Sequence, residues 1–158
     1  MLFNFNSPTD IFFGYGYFRK TSEFTNKLGK NPMIVCGRNS MRKFKFLDIL
    51  INDLKKDKKK FFIYDNISSD AKSNEINEAI SIIKKKKIDF VIGLGGGSAI
   101  DAAKAIAVGI NFKNIESIIG KNISDDLKCL PIVAIPTTAG TGSEVSKGSI
   151  ITDIKKNF

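Results

Sequence analysis

The chain has 158 residues, 42% of them hydrophobic, with 25 Lys and Arg against 16 Asp and Glu, a net charge of +9, two cysteines and no histidine. This length predicts one domain that buries about 70% of the surface its unfolded chain exposes, so no disulfide is needed. No apolar run approaches the ~20 residues of a membrane span, and the first eight residues lack the basic and apolar regions of a secretory signal; a cytoplasmic protein with no membrane partner is expected.

Residues 10–13 are expected to form a short strand turned by Gly14 and Gly16, followed by a helical stretch over residues 17–28 that Gly29 closes. Pro32–Gly37 is a continuous apolar run, the pattern of a parallel strand buried on both faces. Asn39 or Ser40 then offers an N-cap, and Phe44, Leu47, Leu50, Ile51 and Leu54 recur at spacings of three and four, predicting one helix that runs to Lys56. Residues 60–65 give a second strand and 66–72 a polar loop. Ile76, Ala79, Ile80 and Ile83 mark the inner face of the next helix, and residues 89–94 the third strand. Beyond it, Ser98 is predicted to cap a helix with Asp101 at the third position, its alanines at 102, 103, 105 and 107 giving a narrow surface for packing on a sheet. Residues 130–135 are the fourth strand and 149–152 a last short one. Strands alternating with crossover helices predict an α/β fold, a mostly parallel Rossmann-like sheet with helices on both faces.

Two lysine clusters, at 55–60 and 84–87, raise the possibility of nucleic acid. Each follows an apolar helical stripe, where lysines favour the negative helix C-terminus and stay solvated. No stacking aromatics or recognised module accompany them, so no nucleic-acid partner is expected. Cys36 and Cys129 lack metal or redox spacing and are expected to be small buried thiols.

The chemistry concentrates in two loops. Gly93-Leu94-Gly95-Gly96-Gly97-Ser98 joins the third strand to its helix, where bare glycines let a phosphate approach free N–H groups and the helix dipole attracts its charge. Pro136-Thr137-Thr138-Ala139-Gly140-Thr141-Gly142-Ser143 follows the fourth strand with hydroxyl donors. Both loops follow strands, so both open on the carboxyl edge of the sheet, where such folds bind ligands. Two strand–helix units precede the glycines, unlike the usual dinucleotide fingerprint.

Gly95-Gly96-Gly97-Ser98-Ala99-Ile100-Asp101-Ala102-Ala103-Lys104, followed by Pro136-Thr137-Thr138-Ala139-Gly140-Thr141-Gly142-Ser143-Glu144-Val145, resembles the paired motifs of iron-containing (group III) alcohol dehydrogenases. The resemblance extends from Phe13 to Asp153 and implies the N-terminal, nucleotide-binding half of an enzyme that interconverts alcohols and aldehydes with NAD or NADP and a divalent metal. It implies that Gly96, Gly97 and Ser98 hold the pyrophosphate, with Asp101 close to the ribose end. Thr137, Thr138 and Thr141 line the cofactor, and Ser143 and Ser146 approach the nicotinamide. Members that prefer NAD carry an acidic residue after the first strand. Here Gly37 leaves room for a 2′-phosphate that Arg38 or Ser40 can bind, so NADP is expected over NAD. Where relatives often show Pro-Asn-Pro-Thr beside the cofactor, this chain has Ser69-Asp70-Ala71-Lys72.

The family holds its iron with one aspartate and three histidines of a C-terminal helical domain, and a chain without histidine cannot build that site. No catalytic and no metal-ligating residue is therefore assigned, and residues 1–158 are expected to form a single, apparently truncated dinucleotide-binding domain. A small alcohol or aldehyde becomes a substrate only with the missing domain. A stand-alone nucleotide-binding module or assembly subunit is the alternative; a fragment, a truncated gene product and a domain awaiting a partner all agree with the ending. Apolar surface left uncovered by that domain predicts self-association.

Overall fold

The computed structural model describes residues 9–124 and 126–156. The stretch read for a secretory signal and the final two residues of the chain lie outside them.

Four parallel strands, β1 (Pro32–Gly37), β2 (Phe62–Ile67), β3 (Phe90–Gly95) and β4 (Ile132–Pro136), form one sheet in the order β2-β1-β3-β4. The central pair is held in register from Pro32 opposite Phe90 to Cys36 opposite Leu94. Alternation along these apolar strands divides the core. Met33, Val35 and Val91 point to a layer made by helices α4 (Ser73–Lys86) and α5 (Gly97–Gly109). Ile34, Cys36, Ile92 and Leu94 point to the other face, covered by Leu47, Leu50 and Leu54 of α3 (Phe46–Lys56). Each of those leucines is fully buried, contributing about 1.5–3 kcal/mol of apolar transfer. Helices thus cover both faces of a parallel sheet, as the alternation predicts. Among the described residues no helix is long and apolar enough to cross a membrane.

α5 approaches the sheet unusually closely. A Cβ on Gly93 would lie 2.9 Å from the Ala103 Cβ and 3.2 Å from the Ile100 Cα, so glycine on the strand and alanine on the helix set that distance. Lys55 and Lys56 end α3, and Lys84 to Lys86 end α4, where cations complement the helix dipole.

Several expectations are corrected. Residues 10–13 form no strand; Ile11, Phe12 and Phe13 lie on the surface, with the Phe12 ring stacked on Phe24 at 4.2 Å. The helix expected over residues 17–28 is a single α turn, α1 (Thr21–Phe24), between two 3₁₀ turns, and Gly29 follows with φ 140°, a conformation side chains rarely adopt, but not the left-handed helical turn expected of a closing glycine. The helix expected up to Lys56 is interrupted: α2 (Ser40–Lys43) ends, Lys45 turns left-handed with φ 60°, and α3 starts anew. That turn swings Phe44 off the apolar stripe, leaving it 62% exposed. β2 and β4 each sit two residues further along at their start than expected. Residues 149–152 contribute one bridge, Thr152 to Lys72, in place of a strand. Cys36 is buried, but Cys129 is exposed because β4 begins only at Ile132.

Candidate dinucleotide site at the carboxyl edge of the sheet

β1, β3 and β4 end side by side, which brings their following loops to one edge. Gly95 leaves β3 with φ 148°, a conformation side chains rarely adopt, and Gly96 serves as N-cap of α5 in an extended conformation. The Gly96 carbonyl accepts the Ala99 and Ile100 amides at 3.1 and 3.2 Å, closing the first turn. The amides of Gly97 and Ser98 precede any carbonyl of their own helix and carry its positive end. Ser98 is therefore not the cap predicted for it. Its hydroxyl donates instead to the Ser69 carbonyl in the loop after β2.

The second loop packs against the first. The Thr137 amide donates to the Gly95 carbonyl at 2.9 Å, extending the β3–β4 pairing into the loops. A Cβ on Gly96 would lie 3.1 Å from the Thr138 hydroxyl oxygen, and one on Gly97 would lie 3.2 Å from both the Ser143 hydroxyl oxygen and the Thr141 methyl. Gly96, Gly97, Ser98, Thr137, Thr138, Thr141 and Ser143 thus come together in a cradle of backbone amides rimmed by hydroxyls. The two glycines are the residue type that leaves it open. An anionic pyrophosphate fits these donors.

Gly37, Arg38 and Ser40 stand at the end of β1 on the same edge, with Ser40 opening α2. Arg38 is 55% exposed and its Nη2 donates to Glu75 Oε1 at 3.0 Å. Glu75 is a residue that the sequence reading overlooked. Its buried carboxylate also accepts the Ser68 amide and hydroxyl, both at 3.0 Å, and the Lys72 amide at 3.3 Å. Glu75 is the third residue of α4 and accepts the amide of its N-cap Lys72, but lysine is not a capping residue type, so no residue pattern announced the contact. Together with the contact from Ser98, and with Ala71 and Ser73 bonded to Thr152, this network secures the loop that stands in place of Pro-Asn-Pro-Thr.

Asp101 and Ser146 are engaged elsewhere. Asp101 is buried in α5, with Oδ1 2.9 Å from the Lys104 ammonium and Oδ2 accepting the Ile150 amide at 3.1 Å. Neither end of its carboxylate caps the helix. Lys104 in turn donates to the Ser146 hydroxyl at 3.1 Å and to the Gly148 carbonyl, so the pair clamps the segment after the threonine loop onto α5. Lys104 is a second residue that sequence reasoning missed.

Burial, aided by the charge of Asp65, pushes the Cys36 thiol up to about 11, leaving it protonated and unsuited to nucleophilic attack. Among the described residues no group of three or more Cys, Asp, Glu or His side chains is placed to hold a metal ion. The described residues do not fit a metal centre. A separate groove of about 980 Å³ lies beside α5, lined by Val108, Ile115, Ile118 and Ile151 among others, away from the glycine loop.

The family profile described as iron-containing alcohol dehydrogenase matches residues 8–157. NADH-dependent butanol dehydrogenase A of Clostridium acetobutylicum is 30% identical over 155 residues, covering 98% of this chain and 40% of that protein. NADPH-dependent butanol dehydrogenase of Clostridium saccharobutylicum is 31% identical, covering 98% of this chain and 40% of its own length. Among solved structures, NADH-dependent butanol dehydrogenase A of Thermotoga maritima superposes with a TM-score of 0.90 at 32% identity, covering 98% of this chain and 39% of that one. The chain therefore spans about 40% of the length of these relatives.

Proposed function

This chain belongs to the iron-containing alcohol dehydrogenase family, and from that premise we propose that residues 1–158 are the dinucleotide-binding unit of an oxidoreductase that interconverts a small alcohol and its aldehyde. The observation that carries the reading is the approach of Thr138, Thr141 and Ser143 to Gly96 and Gly97, at distances where even a Cβ would be crowded, beside the free amides that open α5. In this reading Gly96, Gly97 and Ser98 hold the pyrophosphate through backbone amides. Thr137, Thr138, Thr141 and Ser143 orient the remainder by hydroxyl contacts. Asp101 and Ser146 act at one remove, by holding the segment that follows the threonine loop.

Bound here, a nicotinamide dinucleotide supplies a hydride carrier. The chain's own contribution is to bind and aim it. The reading favours NADP over NAD: Gly37 offers no carboxylate to repel a 2′-phosphate, and the half-exposed Arg38 guanidinium and Ser40 hydroxyl stand at the strand end to receive it. The relatives named above divide between the two nucleotides. Metal chemistry and the alcohol or aldehyde belong, in this reading, to the part of the family enzyme beyond this chain. The same reading puts the protein in the cytoplasm, with self-association through its uncovered apolar surface.

Titration with NADPH and NADH, read by nucleotide fluorescence, tests the reading. Saturable binding with NADPH the tighter ligand is expected. Equal affinities would remove the NADP preference, and no binding of either would remove the assignment.

A further inference from the structure

Arg38 is not a free surface cation. Its guanidinium ends on a carboxylate from a different element, and that carboxylate, 5% exposed, also closes the loop after β2 through Ser68 and Lys72. Glu75 thereby ties the end of β1, the end of β2 and the start of α4 into one corner of the sheet edge. The other guanidinium nearby, that of Arg42, is held by Asp65 at 2.8 Å.

We propose that Glu75 is a positioning residue for nucleotide choice: by gripping one nitrogen of the Arg38 guanidinium it holds the remaining donors ready for a 2′-phosphate. This rests on the dinucleotide reading of the site. The physical argument is one of preorganisation. An untethered arginine must surrender its rotamer freedom on gripping a phosphate, whereas one anchored in the free protein has already done so. The anchor is itself rigid, because the Glu75 carboxylate is buried and receives three further hydrogen bonds from the backbone and hydroxyl of the adjoining loop. Only Nη2 is spent on it, so the fork still presents N–H groups outward.

A competing effect has the opposite sign. The Glu75 charge repels a phosphate, and its removal alone would tighten NADPH binding. The buried carboxylate is already matched by Arg38 and by its hydrogen-bond donors, so loss of the anchor outweighs loss of the repulsion.

The test compares dissociation constants for NADPH and NADH, by nucleotide fluorescence, in the protein and in the variants Glu75→Gln, Arg38→Lys, Arg38→Ala and Glu75→Gln/Arg38→Ala. Glu75→Gln should weaken NADPH relative to NADH by about fivefold or more. Arg38→Lys, which keeps the charge and loses the fixed fork, should shift the ratio the same way. In the Arg38→Ala background, Glu75→Gln should leave the ratio unchanged to within about twofold. An unchanged ratio in Glu75→Gln, or one shifted toward NADPH, would overturn the proposal. Should Glu75→Gln not fold, as read by its thermal melt, Arg38→Lys decides: an unchanged ratio there overturns it. Tight nucleotide binding with an unmoved ratio rejects the role of Glu75 alone, while failure of the unaltered protein to bind either nucleotide rejects the site reading and this inference together.

Discussion

Enlarging Gly97 separates the cradle from the fold that supports it. A Cβ at this position lands 3.2 Å from the Ser143 hydroxyl oxygen, 3.2 Å from the Thr141 methyl and 3.3 Å from the Thr141 Cβ. These contacts are a few tenths of an ångström too close; Ser143 is buried, but its hydroxyl can rotate, and Thr141 is exposed and can yield. Gly97→Ala should therefore leave stability within about 1 kcal/mol of the original, the strain offset by the better helix propensity of alanine. Gly97→Val adds two methyls to the same gap and must wedge the loops apart, at a cost of roughly 1–3 kcal/mol. Its effect on binding should be larger. Separating the threonine loop from the amides of Gly97 and Ser98 removes at least one charge-assisted hydrogen bond, each worth about 1.5–3 kcal/mol, which weakens NADPH by roughly 10- to 100-fold. Fluorescence titration of NADPH, with a thermal melt of each variant, gives both quantities. A folded Gly97→Val protein that binds NADPH as the original does would refute the reasoning.

Gly93→Ala probes packing below the site: its new methyl meets Ala103 at 2.9 Å and helix backbone at 3.2 Å, so unfolding in urea should show a loss of about 2 kcal/mol or more. Lys104→Met leaves the nearly buried Asp101 carboxylate without its cation, which should cost about 3 kcal/mol and raise hydrogen exchange at the Ile150 amide. Unaltered exchange there would show that the clamp does not hold the segment. For Cys36, the unfolded thiol ionises near 9 whereas burial keeps the folded one protonated to about 11. Stability should fall by about 2–3 kcal/mol as pH rises through that window, a loss absent from Cys36→Ala and measurable as the difference between their urea midpoints at pH 8 and 11.

What the sequence conveyed best was whatever local pattern alone decides. The buried runs at Pro32–Gly37 and Phe90–Gly95, and the stripe of Ile76, Ala79, Ile80 and Ile83, needed no knowledge of their neighbours. The glycine and threonine loops were legible as partners because both had to follow parallel strands. Errors arose where a backbone turn or a contact that no local pattern announces prevailed. Lys45 adopts a left-handed turn that no residue pattern announces, and Phe44 leaves the stripe with it. Ser98 looked like a cap because of its type, yet the extended Gly96 already fills that place and frees the hydroxyl for Ser69. Asp101 finds its partners in Lys104, one turn on, and in Ile150, 49 residues away. Glu75 was hidden for the same reason, since its partner Arg38 lies 37 residues earlier.

The central claim is that this chain holds a nicotinamide dinucleotide between its two loops. Mapping backbone amide shifts by nuclear magnetic resonance during an NADPH titration tests it residue by residue. The account predicts the largest shifts at Gly96, Gly97, Ser98, Thr137 and Thr138, with Arg38 responding to NADPH more than to NADH. Shifts confined to the groove around Ile115, Ile118 and Ile151, or none at saturating nucleotide, would contradict it.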